Sequence, residues 1–292
     1  MTRMYSNKWY IFIFVLPALI LFCGVLIAPI GASAYFSFFD WNGFTAKTFI
    51  GFDNYKELFT SDSIGFNRAL RNALLLAGLS VFLQLPLALA LALALGKGIK
   101  GERIFLSVFF MPVLISTVVI GQLWVKIYNP DYGVLNVALR NVGLDNLTQI
   151  WLGDTSTALA AVFVPILWQY VGYHMLLLYA GVKSVPTELR EAAMLDGASD
   201  GQVDRYIVLP YIKPIIKISV IFAVTGSLKS FDLIYVLTNG GPLHSTEVPS
   251  TLMISMLFLR NRYGMGSTIA VLLIILCFAF ALLISVIFKE ED

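Results

Sequence analysis

The chain has 292 residues, of which 58% are hydrophobic and 13% charged, with a mean hydropathy of +0.81 and a formal net charge of +2. A water-soluble domain carries about a quarter charged residues and under half apolar ones, so this composition points to an integral membrane protein. The near-balanced charge argues against nucleic acid as a partner, and Cys23 and Cys277, each inside an apolar run without metal-ligand company, read as small hydrophobes.

A helix crossing a bilayer needs about 20 mostly apolar residues. The first segment of that kind, 9–38, follows Arg3 and Lys8 and runs past Ala32-Ser33-Ala34, a combination that mimics a secretory signal with its cleavage site. Its apolar stretch exceeds the roughly 7–15 residues of a signal core and holds Pro17 and Pro29, so it is expected to be a retained first span. The aromatics of 39–69, Trp41, Phe44, Phe49, Phe52, Tyr55 and Phe59, stand with Leu58 between turn formers and predict an ordered loop; the aromatics serve as interfacial anchors or as a docking surface for an outside partner.

The second span, 70–96, contains Leu85-Pro86-Leu87-Ala88-Leu89-Ala90-Leu91-Ala92-Leu93, whose period of two imitates a strand. A barrel strand alternates apolar with polar, whereas both alternating sets here are apolar, so helix is expected. The third span, 104–128, is interrupted by Pro112 and Lys126; the remaining ones are 157–182, 215–237 and 266–288. With the N-terminus inside, Arg3, Lys8, Lys97, Lys100, Arg103, Lys183, Arg190, Arg205, Lys213, Lys217 and Lys289 fall on the inner side, while the longer outer loops hold Lys47, Lys56, Arg68, Arg71, Arg140, Arg260 and Arg262. This is a modest positive-inside bias, and an even number of spans then places both termini in the cytoplasm.

Ionisable and polar groups inside spans are functional candidates by default. Span five offers Ser227, Lys229, Ser230 and Asp232; Lys229 and Asp232, three apart on a helix, could face and partly neutralise each other or could line a pathway. Span four offers Trp168, Gln169, Tyr173 and His174, a set suited either to packing or to a sugar, whose pyranose ring wants an aromatic face and whose hydroxyls want polar partners. His174 has no second ligand at metal spacing. No G-x-x-x-x-G-K-[ST] phosphate loop exists, since Gly96-Lys97-Gly98 lacks the first glycine and the hydroxyl residue, and no nucleophile elbow or zinc motif is present.

The longest inner break, 184–214, has the grammar of helix, turn, helix: Ser184 as a cap, Pro186 in the first turn, an apolar side from Leu189, Ala192, Ala193 and Leu195, then Gly197, then a capping box from Ser199 to Gln202. Such a knob suits docking into a partner's groove, or merely joins two spans. Its spacing, Glu191-Ala192-Ala193, three residues, Gly197, nine residues, Ile207-x-Leu209-Pro210, resembles the EAA pattern of binding-protein-dependent ABC-importer permeases. Pro186-x-Glu188-Leu189, Asp196-Gly197-Ala198-Ser199, Tyr235-Val236-Leu237-Thr238-Asn239-Gly240-Gly241-Pro242 and Gly51-Phe52-Asp53-Asn54-Tyr55 look like the sugar branch, in particular its maltose-type subunit.

The resemblance covers essentially the whole chain and implies an all-α integral membrane protein, with six transmembrane helices in the type I ABC importer permease fold and one permease domain over 1–292. It implies that Glu191, Ala192, Ala193, Asp196 and Gly197 couple to a cytoplasmic ABC ATPase dimer, which binds the ATP and magnesium, this chain binding no cofactor. It also implies a second homologous permease, an extracytoplasmic sugar-binding protein, a bacterial or archaeal inner membrane, and a pathway near Trp168, Gln169, Tyr173, Ser227 and Ser230; asparagines stand in the relative where this chain has the two serines. The competing expectation is a secondary transporter or channel that needs no ATPase.

Overall fold

The structure is a computed structural model that describes residues 8–288; Arg3 and Lys289, used in the orientation argument, lie outside the described residues. Among these, five helices are long and apolar enough to cross a membrane: Ile11–Phe36, Phe66–Gly96, Ala158–Ser184, Lys213–Leu237 and Tyr263–Ile287. The pair Glu102–Leu114 and Thr117–Ile127, bent by 94°, brings the number to six when it is counted as one broken span. Five of the six predicted spans therefore stand in order, and the third is corrected. The third is two helices, and the break lies at Ile115 and Ser116, both with extended ψ (140° and 131°), while Pro112 stays inside the first helix. One proline removes one donor and kinks a helix; two successive extended residues end it.

Prolines leave another mark. Three of the spans' and knob's helices widen to π turns at Cys23–Ile27, Ser80–Gln84 and Asp204–Val208. Each ends two residues before a proline (Pro29, Pro86, Pro210) and encloses the carbonyl four residues upstream that the proline ring would strike. The wider turn carries the helix past the missing N–H without breaking it.

The chain divides into two compact units. The first comprises residues up to 64 with 253–274. A two-residue antiparallel ladder pairs Phe39 with Phe49 and Asp40 with Thr48, and the helix Asp53–Thr60 follows. Buried Asn54 donates from Nδ2 to the carbonyls of Ser37 and Phe39, each at 2.9 Å. Arg262 grips Glu57 with both terminal nitrogens, at 2.8 and 2.6 Å. A Cβ on Gly264 would sit 1.9 Å from the Phe39 carbonyl oxygen, so glycine is needed where the last span starts. The loop is ordered, as its composition suggested: Leu58 is buried and Trp41 stacks on Phe36, while Phe44, Phe49 and Phe52 remain exposed.

The second unit comprises 65–252 with the residues from 275 onward. Its core joins Ala73, Leu76 and Ala77 of span two to Val162, Phe163 and Ile166 of span four and to Leu228 and Ile234 of span five. Span four is the central element, and Gly172 lets it approach the helix Glu102–Leu114 so closely that a Cβ would lie 1.8 Å from the Phe109 carbonyl oxygen.

The Arg262 guanidinium holds the Glu57 carboxyl below its ordinary value of 4.5. A carboxylate with a depressed folded pKa stabilises above the unfolded pKa, and that contribution is lost as pH falls through the folded value. Arg262→Ala is expected to cost about 0.5–1 kcal/mol at neutral pH, because the pair is part-exposed. The deficit should shrink on acidification below the ordinary glutamate value, as read by thermal unfolding of the detergent-purified protein and by hydrogen exchange over 53–60.

Candidate functional site

Two features of the second unit concentrate the polar residues. One is a cavity of about 330 Å³ among spans two, four and five. Span two contributes Ser80 and Gln84, which the π turn before Pro86 presents as buried groups; Ser80 Oγ is 3.2 Å from Ser227 Oγ, and Gln84 Nε2 donates to the Leu167 carbonyl at 2.9 Å. Span four contributes Gln169, Tyr170, Tyr173 and His174, and span five contributes Thr225, Ser227, Lys229, Ser230, Phe231 and Asp232.

Six of the seven predicted pathway residues, Gln169, Tyr173, Ser227, Lys229, Ser230 and Asp232, thus meet in one space. Trp168 does not line it; its indole meets Trp124 edge-on with ring centroids 5.9 Å apart. Of the two readings open for Lys229 and Asp232, facing each other or lining a pathway, the first does not hold. Span five stops at Leu228 and restarts at Asp232, so the two are not on one helical turn, and no ion pair joins them among the described residues. Instead Lys229 closes the C-terminal end of Lys213–Leu228 and Asp232 opens Asp232–Leu237, each charge complementing the dipole of its own half-helix.

The sequence reading missed Ser80 and Gln84. Their spacing of four in an otherwise apolar span was the available signal, hidden by the alternating Leu-Ala run beside it. Buried Gln169 and His174 each keep an atom, Oε1 and Nδ1, without a protein hydrogen-bond partner. Buried polar atoms are normally satisfied, so these two are exceptions among the residues that line the cavity.

The second feature is the knob. Thr187–Leu195 is helical and ends in a Schellman motif: Gly197 N–H donates to the Met194 carbonyl at 3.1 Å and Ala198 N–H to the Ala193 carbonyl at 2.9 Å, with Gly197 left-handed at φ +87°. Ser199 and Gln202 form the expected capping box at Asp200–Val203. Two details differ from expectation. Ser184 is the last residue of span four, its hydroxyl donating back to the Gly181 carbonyl at 2.7 Å, and Pro186, with ψ 134°, takes the cap position ahead of the helix instead of entering its first turn. A hydroxyl already bonded within one helix cannot cap the next.

Beneath the knob lies a small core of Val182, Val185, Val203, Val208 and Ile212. The helix Thr187–Leu195 itself buries none of its residues. Glu191, Ala192, Asp196 and Gly197 are exposed and Ala193 is half-buried, while Leu195 is 88% exposed. Leu189, Ala192 and Leu195 are therefore open to a partner, while Ala193 packs on the core beneath. At the base, hydrogen bonding to Asp204, assisted by Asp200, raises the pKa of Lys97 and keeps it charged.

The chain belongs to the binding-protein-dependent transport system inner membrane component family, whose profile matches residues 84–289. It is 40% identical over 287 residues to the Bacillus subtilis (strain 168) protein named Probable ABC transporter permease protein YurN, with 97% of each chain covered. It is 32% identical to the diacetylchitobiose uptake system permease protein NgcF of Streptomyces coelicolor, covering 91% of this chain and 78% of that one. Among solved structures, a bacterial ABC transporter that imports the acidic polysaccharide alginate superposes with a TM-score of 0.83 at 26% identity, over 96% of this chain and 95% of that chain. The protein is a multi-pass permease subunit with the type I importer fold, and its transport class is powered by an ATPase on a separate chain.

Replacing Gly197 by alanine forces a Cβ into the left-handed region, at a cost of about 1–2 kcal/mol. Gly197→Ala should accelerate hydrogen exchange across 187–203 while leaving the overall helix content of the purified protein unchanged by circular dichroism.

Proposed function

We propose that the chain forms, with a second homologous permease, the path of a saccharide, an oligosaccharide in particular, through an ATP-driven importer of a bacterial or archaeal inner membrane. The observation that carries this reading is the composition of the cavity. Tyr170, Tyr173, Phe222 and Phe231 offer aromatic faces, and Gln169, His174, Thr225, Ser227 and Ser230 offer hydrogen-bonding groups, around an interruption of span five. Aromatic faces with a few convergent polar groups suit the two sides of a sugar ring. Irregular backbone at membrane depth is tolerated where it lines a cavity, and helix ends there meet substrate. The diacetylchitobiose and alginate systems to which relatives belong agree with a saccharide cargo.

In this reading both termini and the loop 184–214 are cytoplasmic. Glu191, Ala192, Ala193, Asp196 and Gly197 dock in a groove of a cytoplasmic ATPase dimer, which holds the ATP and magnesium; a sugar-binding protein delivers cargo from outside. ATP at one end and loaded binding protein at the other bias the same two-state element, which gives alternating access.

The test uses the full complex in proteoliposomes, with diacetylchitobiose and an alginate oligosaccharide as probes. Tyr173→Ala should lower uptake by about 10- to 100-fold, in line with the 1–3 kcal/mol of a pocket contact, whereas Tyr173→Phe, which keeps the ring face, should retain most of it. Glu191→Lys should abolish uptake of either probe. Undiminished uptake in Glu191→Lys, or failure of the tagged chain to bring down an ATPase, would favour a secondary transporter instead.

A further inference from the structure

Spans four and five run directly into the knob and must follow it by covalent continuity. Span two has no such link, yet its end at Gly96-Lys97 touches both the knob and the end of span four on which the knob is seated. A Cβ on Gly96 would lie 2.4 Å from Val182 Cγ1, so only glycine lets the helix end close on that stiff, branched side chain. Val182 belongs to the core beneath the knob, on which Leu89 and Leu93 of span two also pack. Its carbonyl accepts a hydrogen bond from Arg190, on the knob's first helix. On the other side Lys97 Nζ lies 3.1 Å from Asp204 Oδ2 and 3.6 Å from Asp200 Oδ2, both on the knob's second helical segment.

A single exposed ion pair is worth only about 0.2–1 kcal/mol, too little to hold a moving element by itself. Here one ammonium at the C-terminal end of a helix serves two carboxylates, next to an apolar contact with no slack. The fastened end of span two lies about 18 Å along the helix from Gln84, given a rise of 1.5 Å per residue. Gln84 and Ser80 wall the cavity from the same helix.

We infer that Lys97, seated by Gly96, is a positioning residue that ties span two to the knob, so that a displacement of Thr187–Leu195 is delivered to the Ser80–Gln84 wall of the cavity. The inference rests on the coupling role proposed for the knob and adds the element through which that role reaches the cargo space. Spans four and five alone would move two walls of the cavity; the tie adds the third.

Hydrogen exchange of the complete complex with its own ATPase, nucleotide-free against ATP plus vanadate, tests it without knowledge of the cargo. In the native complex, peptides covering 187–204 and 86–97 should both change protection. In Lys97→Glu the knob peptides should still respond while the response of 86–97 is lost; combining Lys97→Glu with Asp204→Lys should restore it, and Lys97→Arg should keep it. A native-sized response of 86–97 in Lys97→Glu, or an assembled charge-swapped complex in which it stays lost, overturns the tie. Silence of 187–204 in the native complex overturns the coupling role, and the tie with it.

Discussion

In the hydrocarbon of a membrane there is no water to take up an unpaired peptide group, so every N–H and C=O must find its partner inside the protein. Several of the places where the spans depart from a plain α-helix answer to that constraint. Before Pro29 and Pro86 the helix widens by one residue per turn, which accommodates the missing donor locally. Where it stops altogether in span five, at Lys229–Phe231, the freed ends border a cavity and carry charges of the sign that suits each half-helix.

The same constraint connects fold to function. The π turn at Ser80–Gln84 keeps span two continuous and at the same time presents two buried polar side chains to the cavity. Lys229 and Asp232, costly in a membrane, are stabilised by the helix ends that the break creates, and remain free of one another. Chemistry that a cargo can use is therefore a by-product of how the backbone satisfies itself. The central position of span four depends on its glycines: a side chain at Gly172 or Gly181 would meet Phe109 or Ile215.

The knob obeys a different rule, because it lies outside the apolar spans. It folds on a core of five aliphatic residues and two helix-terminal motifs, then turns Leu189, Met194 and Leu195 outward. All three stay exposed on the helix Thr187–Leu195, whose C-terminal end is closed by the turn at Gly197.

Spans, knob and most of the cavity residues were legible in the sequence because each depends on local rules. Apolar length marks a span, Gly197 and the Ser199–Gln202 box mark a turn and a restart, and polar residues stand out in apolar surroundings. What the sequence could not convey lies in distances between segments. The 94° break after Leu114, the separation of Lys229 from Asp232, the turn of Trp168 away from the cavity and the recruitment of Ser80 and Gln84 all follow from neighbouring helices. A helix repeats every 3.6 residues whatever it touches. Which of its faces meets which neighbour, and where it must break to do so, is decided by packing, and only tertiary structure carries that.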